Sequence, residues 1–204
     1  MSTLFLKFLL LFYLFIEQLS AQSSVVLYGD RDTYINSVHP DMNYADQYLV
    51  AAAWTVRSQP TVVRSIFDFD WSSIPDDVSI TKALLSLYGG NSKFDGNHST
   101  SGGSNEAEIF RLTSDWDERS VTWNIQPTYS IENKVFLIES VLSEEDYLNI
   151  DVTGIVQDMV NSSSESFGFM LKLIKEEYYR RLVFVPSNHP DKNLYPKLEI
   201  WYTE

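Results

Sequence analysis

The chain is 204 residues long, 44% hydrophobic and 14% aromatic, enough apolar matter for one sizeable core. Its 28 acidic residues outnumber 15 basic ones, for a formal net charge of −13; a phosphate backbone demands the opposite surplus, so nucleic acid is excluded as a partner. There is no cysteine, which removes disulfides and thiolate metal sites in any compartment.

In chain order, the first 21 residues stand apart. Lys7 is the only early positive charge, Leu9 to Ile16 is an unbroken apolar run, and the small residues Ser20 and Ala21 follow. That is the grammar of a secretory signal peptide cut after Ala21. Leu19, three before the cut, departs from the usual small residue. The competing reading is a retained N-terminal anchor, but Leu4 to Ile16 is too short to span a bilayer unless Lys7 and Glu17 reach out to its surfaces. Once the leader is removed, no later segment has the length of a membrane span.

From residue 22 onward the dominant period is two, that of half-buried strands. Val63, Ser65, Phe67 and Phe69 fall on one face, with Val62, Arg64, Ile66 and Asp68 on the other. Leu85 and Leu87 alternate with Ser86 and Tyr88 until Gly89 and Gly90 stop the run. Phe110 and Leu112 alternate with Ile109 and Arg111, and Phe167, Phe169, Leu171 and Leu173 share a face. At the C-terminus Leu198, Ile200 and Tyr202 alternate with Lys197, Glu199 and Trp201. Such runs, broken by turn residues, predict an all-β chain in two packed sheets. One stretch departs from this period. Val152, Ile155, Val156, Met159 and Val160 recur at helical spacing behind Asp151 and Thr153, either of which can cap the start. Gly154 limits the helix to two or three turns, and Asn161 with the serines after it ends it.

Two stretches read as loops: Asn91 to Asn105, rich in Gly, Ser and Asn, and Ser187 to Asn193 around His189-Pro190. With no internal repeat and no long linker, residues 22–204 read as one domain.

Catalytic signatures are missing. His39, His98 and His189 are the only histidines, and no two have zinc-site spacing. There is no nucleophile elbow and no phosphate loop. Asp68 and Asp70 point the same way on a strand, and Asp115, Asp117 and Glu118 cluster after one. Neither group supplies the opposed pair that glycoside hydrolysis needs. The chain is expected not to be an enzyme; a polysaccharide lyase built on Tyr178, Tyr179, Arg180 and Arg181 is the remaining catalytic alternative.

Several segments together resemble one family. RSIFDFDWSSIP over residues 64–75, then ITKALLSLY over 80–88, is similar to the R-x-L-x-F-D-L-S-x-I-P … I-x-x-A-x-L-x-L core of DNRLRE-type domains, also classed as carbohydrate-binding module family 96. SVTWNIQP over 120–127 resembles T-V-T-W-N-N-Q-P, and IDVT over 150–153 with Val156 and Gln157 resembles D-V-T-x-x-V-Q. DTYI over 32–35 with Asn43 and Tyr44, and PKLEI over 196–200, match the ends. Trp71, Ile125 and Ala45 depart from the family's residues, and its name-giving hexapeptide is absent. The resemblance implies a two-sheet antiparallel β-sandwich of jelly-roll type, secreted or on the cell surface, that binds polysaccharide, of the acidic alginate kind in characterised relatives. It also implies a structural calcium in some members.

Each role has its candidate residues. Asp32, Asp68 and Asp151 lie in family-like motifs and supply the oxygens calcium prefers, although Asp68 and Asp151 can equally serve an arginine or a helix cap. For a glycan, the aromatic and basic groups are Trp54 with Arg57, and Tyr178, Tyr179, Arg180 and Arg181 with Lys172 and Lys175; any of these can instead be ordinary sheet surface. The net charge of −13 argues against an acidic glycan and leaves neutral ones open. DWDERSVTWNIQP, residues 115–127, reads as framework: Trp116 and Trp123 packed, Asn124 and Gln126 satisfying backbone at a chain reversal. Asn97-His-Ser99 and Asn161-Ser-Ser163 are glycosylation sequons. The leading expectation is a secreted polysaccharide-binding module; the alternative is a structural or adhesive surface module with protein partners.

Overall fold

The computed structural model describes residues 21–162 and 167–204. The leader, apart from Ala21, and the serines just beyond Ser162 therefore lie outside the described residues. Among the described residues the strands are β1 (Gln22–Asn36), β2 (Leu49–Val56), β3 (Gln59–Phe69), β4 (Ser79–Leu87), β5 (Ala107–Leu112), β6 (Tyr129–Leu137), β7 (Tyr147–Asp151), β8 (Phe169–Leu173), β9 (Arg180–Phe184) and β10 (Lys197–Thr203). The α-helix, α1, is Thr153–Asn161. Its nine residues are the short helix read from the 3.6-residue spacing, with Ile155, Val156 and Met159 buried. Asp151 accepts hydrogen bonds from the Thr153 N–H and hydroxyl at its start.

All strand pairings are antiparallel, and they form two sheets that share β1. The first half of β1 heads the sheet β1-β10-β4-β7. After a bulge between Gly29 and Arg31, its second half pairs with β3 in the other sheet. Beyond β3 that sheet divides: β8, β5 and β6 continue from its C-terminal half, while β2 and β9 continue from its N-terminal half. The result is an antiparallel β-sandwich closed along one side by a strand that belongs to both layers. Phe67, Phe169, Leu85, Ile109, Phe184 and Ile200 fill the space between the layers, and α1 adds its apolar stripe to the same core. No helix among the described residues is long and apolar enough to cross a membrane.

The burial pattern of β1 shows how its two sheets differ. Before the bulge Leu27 is buried between exposed Val26 and Tyr28, as in a strand with one wet face. After it, every residue from Asp32 to Asn36 is buried, so both faces of the strand are covered there. One of these faces is closed by the 113–128 loop. Trp116 and Val121 are buried there against Ile35, Ile66, Phe110, Leu112 and Met170, with Trp123 packed alongside. The Trp116 indole N–H donates to the Phe167 carbonyl at 2.7 Å, and Arg31 and Arg64 stack on Trp116 and Trp123. The stretch at 115–127 is thus the lid of a second apolar cluster, as expected of framework. The Gln126 amide donates to the Trp123 carbonyl, while the Asn124 amide reaches the Asp41 side chain rather than backbone.

Candidate functional site

The divided sheet creates a concavity. The two-residue turn Arg57–Ser58, both in left-handed backbone with φ of 50° and 66°, sets the β2–β3 register so that Trp54 faces Thr61 and Ala52 faces Val63. Val63 also faces Asn36, and Ala52 faces Arg181. Residues opposite one another in a ladder point to the same side, so Asn36, Val63, Ala52 and Arg181 form one row across β1, β3, β2 and β9. The β2–β3 pairing stops after this row. Beyond it the Ser65 hydroxyl accepts from the Val50 N–H and donates to the Val50 carbonyl, in place of a strand neighbour. There the sheet turns. Val63 packs with Tyr34, Val50, Ala52 and Val183 rather than joining Phe67 and Phe69, which share its strand parity, in the main core.

The cleft above this row has a volume of about 220 Å³. Its floor is Val50, Ala52 and Val63, and its rim carries Asn36, Trp54, Thr61, Phe94, Asp95 and Arg181. The Arg181 guanidinium lies 4.5 Å from the centre of the Trp54 ring, and the Tyr179 ring meets Trp54 edge-on at 4.8 Å. Arg181 Nε–H donates to the Asn97 carbonyl. Gly96, at φ +71°, allows that approach: a Cβ there would lie 2.6 Å from Arg181 Nη2.

Asp95 is held by a tight turn closed by two backbone bonds between Ser92 and Gly96. The Ser92 hydroxyl donates to Asp95 Oδ2 at 3.0 Å. Burial pushes the Asp95 carboxyl above its ordinary range, against the opposing pull of Ser92 and Arg181. Burial likewise lowers the Arg181 guanidinium, with Asp95 acting in the opposite direction. Thr61 donates its hydroxyl hydrogen to Asn36 Oδ1 at 2.6 Å, and the Val38 N–H donates to the same oxygen. The Asn36 amide nitrogen is then the group this side chain can offer to the cleft.

Of the residues nominated from sequence, Trp54, Tyr179 and Arg181 meet here, and exposed Tyr178 lies next to Tyr179 at 5.8 Å between ring centres. Arg57 is at the exposed hairpin tip, outside the lining. Arg180 faces the other way, as its alternation with Arg181 requires: it is buried, with Nη1 donating to the Glu177 carbonyl and paired with the Glu177 carboxylate. Lys172 does point away from the Phe169, Leu171 and Leu173 face, but its ammonium sits 5.5 Å from the Phe110 and Tyr129 rings, in the lidded cluster's neighbourhood. Lys175 is exposed in the turn after β8. Neither lysine lines the cleft.

Sequence reasoning missed Asn36, Thr61, Phe94 and Asp95. Asn91–Asn105 reads as a loose loop, yet it is pinned by the 92–96 turn and by a bridge from Ser99 to Arg181. Its one large apolar residue, Phe94, is 81% exposed. An isolated aromatic in a polar loop was the available signal.

The three aspartates do not assemble a calcium site. Asp68 Oδ2 pairs with Arg31 at 2.8 Å, and its Oδ1 accepts from the Phe69 N–H and the Trp71 indole N–H. Asp151 serves the start of α1. Asp32 is buried, with Oδ2 accepting from the Ser187 N–H and Oδ1 without a partner among the described residues. No group of three or more His, Asp or Glu among the described residues is arranged to hold a metal ion, so Asp32, Asp68 and Asp151 do not form the shared carboxylate set that a calcium site built on them would need.

Residues 23–201 match the model of carbohydrate-binding module family 96. The chain belongs to that family. No curated protein matches it. Carbohydrate-binding module family 96 is named for sugar binding, and a sugar ring is apolar on its C–H faces and polar on its edge; the cleft has an aromatic wall, an apolar floor and polar groups on its rim.

Proposed function

We propose that this member of carbohydrate-binding module family 96 is a secreted, non-catalytic polysaccharide-binding protein that seats its glycan in the Trp54–Arg181 cleft. One observation carries the reading: the cross-strand row Asn36–Val63–Ala52–Arg181 ends in polar groups on both sides and is walled by Trp54. Sugar C–H faces would lie against the aromatic and apolar surface while hydroxyls meet the rim. Among the described residues the lining holds one carboxylate, Asp95, and no histidine; hydrolysis needs a second carboxyl across the bond. Secretion rests on the leader-like residues 1–21. Arg181 is the group that would meet the carboxylates of an acidic glycan, the kind the resemblance implies, and Asp95 on the same rim weighs against one.

The test is affinity electrophoresis of the protein through gels containing alginate, polygalacturonate, xylan or galactomannan. Retardation by at least one polymer is expected, and Trp54→Ala should weaken it about tenfold, the loss of one aromatic contact and its buried surface. Circular dichroism checks that the variant is folded. A folded Trp54→Ala protein with undiminished binding would place the glycan elsewhere.

A further inference from the structure

The charges at the cleft define its ligand more narrowly. Arg181 spends Nε on the Asn97 carbonyl and its flat face on Trp54. Its Nη groups make no hydrogen bond among the described residues and remain as donors. Asp95 has Oδ2 occupied by Ser92, and its Oδ1 accepts no hydrogen bond among the described residues. The two side chains sense each other's charge, yet no ion pair closes between them. Both line the same cleft, and the Asn36 amide nitrogen adds a neutral donor.

We infer that the cleft selects an uncharged glycan, whose vicinal hydroxyls bridge the Asp95 carboxylate and the Arg181 guanidinium. This rests on the glycan-binding reading above and names its substrate class. A diol suits this acceptor–donor pair because one hydroxyl donates to the carboxylate while its neighbour accepts from the guanidinium, each a charge-assisted bond. A uronate carboxylate has no such fit. It would satisfy Arg181 but set a second negative charge beside Asp95 where water is partly excluded and repulsion is poorly screened. A protein of net charge −13 adds long-range repulsion of any polyanion. An uncharged chain meets neither obstacle.

The experiment compares xylan and galactomannan with alginate and polygalacturonate, by calorimetry at low and high salt, for the wild-type protein, Asp95→Asn and Trp54→Ala. Asparagine keeps an oxygen for Ser92, so the turn should persist. Binding of a neutral polymer with little salt dependence is expected, weakened about tenfold or more by Asp95→Asn, as for loss of one charge-assisted bond. The same polymer after periodate treatment, which cleaves vicinal diols to dialdehydes, should not bind. Preference for an acidic polymer, weakened by salt and strengthened by Asp95→Asn, would overturn the inference and leave glycan binding standing. Undiminished binding of the periodate-treated polymer would overturn the diol bridge. Binding to none of the four polymers, or binding indifferent to Trp54→Ala, would remove both the inference and the reading beneath it.

Discussion

Replacing Asp32 by asparagine should stabilise the protein above neutral pH. Asp32 is 1% exposed, and its Oδ1 has no hydrogen-bond partner among the described residues. Burial is the main cause that pushes its carboxyl from 3.8 up to about 6; the Ser187 bonds oppose this, while the charges of Glu118 and Asp46 add to it. Folding therefore raises the group's proton affinity. Between about pH 4 and 6 the folded chain holds more protons than the unfolded one, so stability falls as pH rises through that window. A shift from 3.8 to about 6 corresponds to about 3 kcal/mol at 1.36 kcal/mol per unit, present in full below the window and lost above it. Asparagine carries no charge and keeps an oxygen for the Ser187 N–H. Urea unfolding followed by tryptophan fluorescence at a series of pH values measures the difference. Above pH 7 Asp32→Asn should gain up to about 3 kcal/mol, or roughly 1.5 M in urea midpoint for a slope of about 2 kcal/mol/M. Near pH 4 the gain should vanish. A difference between variant and wild type that stays constant across the series would refute the reasoning, because it would show that the folded protein compensates the charge.

Three further outcomes rest on the same geometry. Trp116→Phe keeps a ring in the lidded cluster but strands the Phe167 carbonyl that its indole N–H serves at 2.7 Å; about 1–3 kcal/mol should be lost in the same urea assay. His98 accepts the Val183 N–H at Nδ1 and so donates from Nε2 to the Glu145 carbonyl, and burial lowers its pKa below 6.5. Its neutral form contributes stability that is complete above pH 6.5 and lost as pH falls through the lowered value, so the acid limb should be shallower in His98→Gln. With both Asp68 oxygens bonded, Asp151 Oδ1 committed to the start of α1, and the candidate aspartates not clustered, the melting temperature should be the same in calcium as in chelator; a rise of several degrees in calcium would reveal a site built from other oxygens.

What was legible in the sequence is what depends on neighbours along the chain. Alternation at Phe67 and Phe69, at Leu85 and Leu87, and at Leu198 and Ile200 announced strands, and 3.6-residue spacing behind Asp151 announced α1, because side-chain direction follows local backbone geometry. Joint motifs in order identified the family, and the framework role of Trp116 and Trp123 came with them. Even the separation of Arg180 from Arg181 was implicit in a period of two, once both were placed on one strand.

The cleft was not legible, because its parts are joined by register. Asn36, Val63, Ala52 and Arg181 come from four strands, and the Arg57–Ser58 turn, the β1 bulge and the Ser65 hydroxyl bring them into one row. A slip of one residue would have turned each to the opposite face. Asp32 makes the same point for charge: its acidity is set by burial in the folded chain and by the opposing hydrogen bonds of Ser187, far along the sequence. Local order was therefore enough for the layers, the helix and the family. Which residues share a surface was left to the folded chain, because pairing between distant strands, unlike alternation along one strand, has no signature in either strand alone.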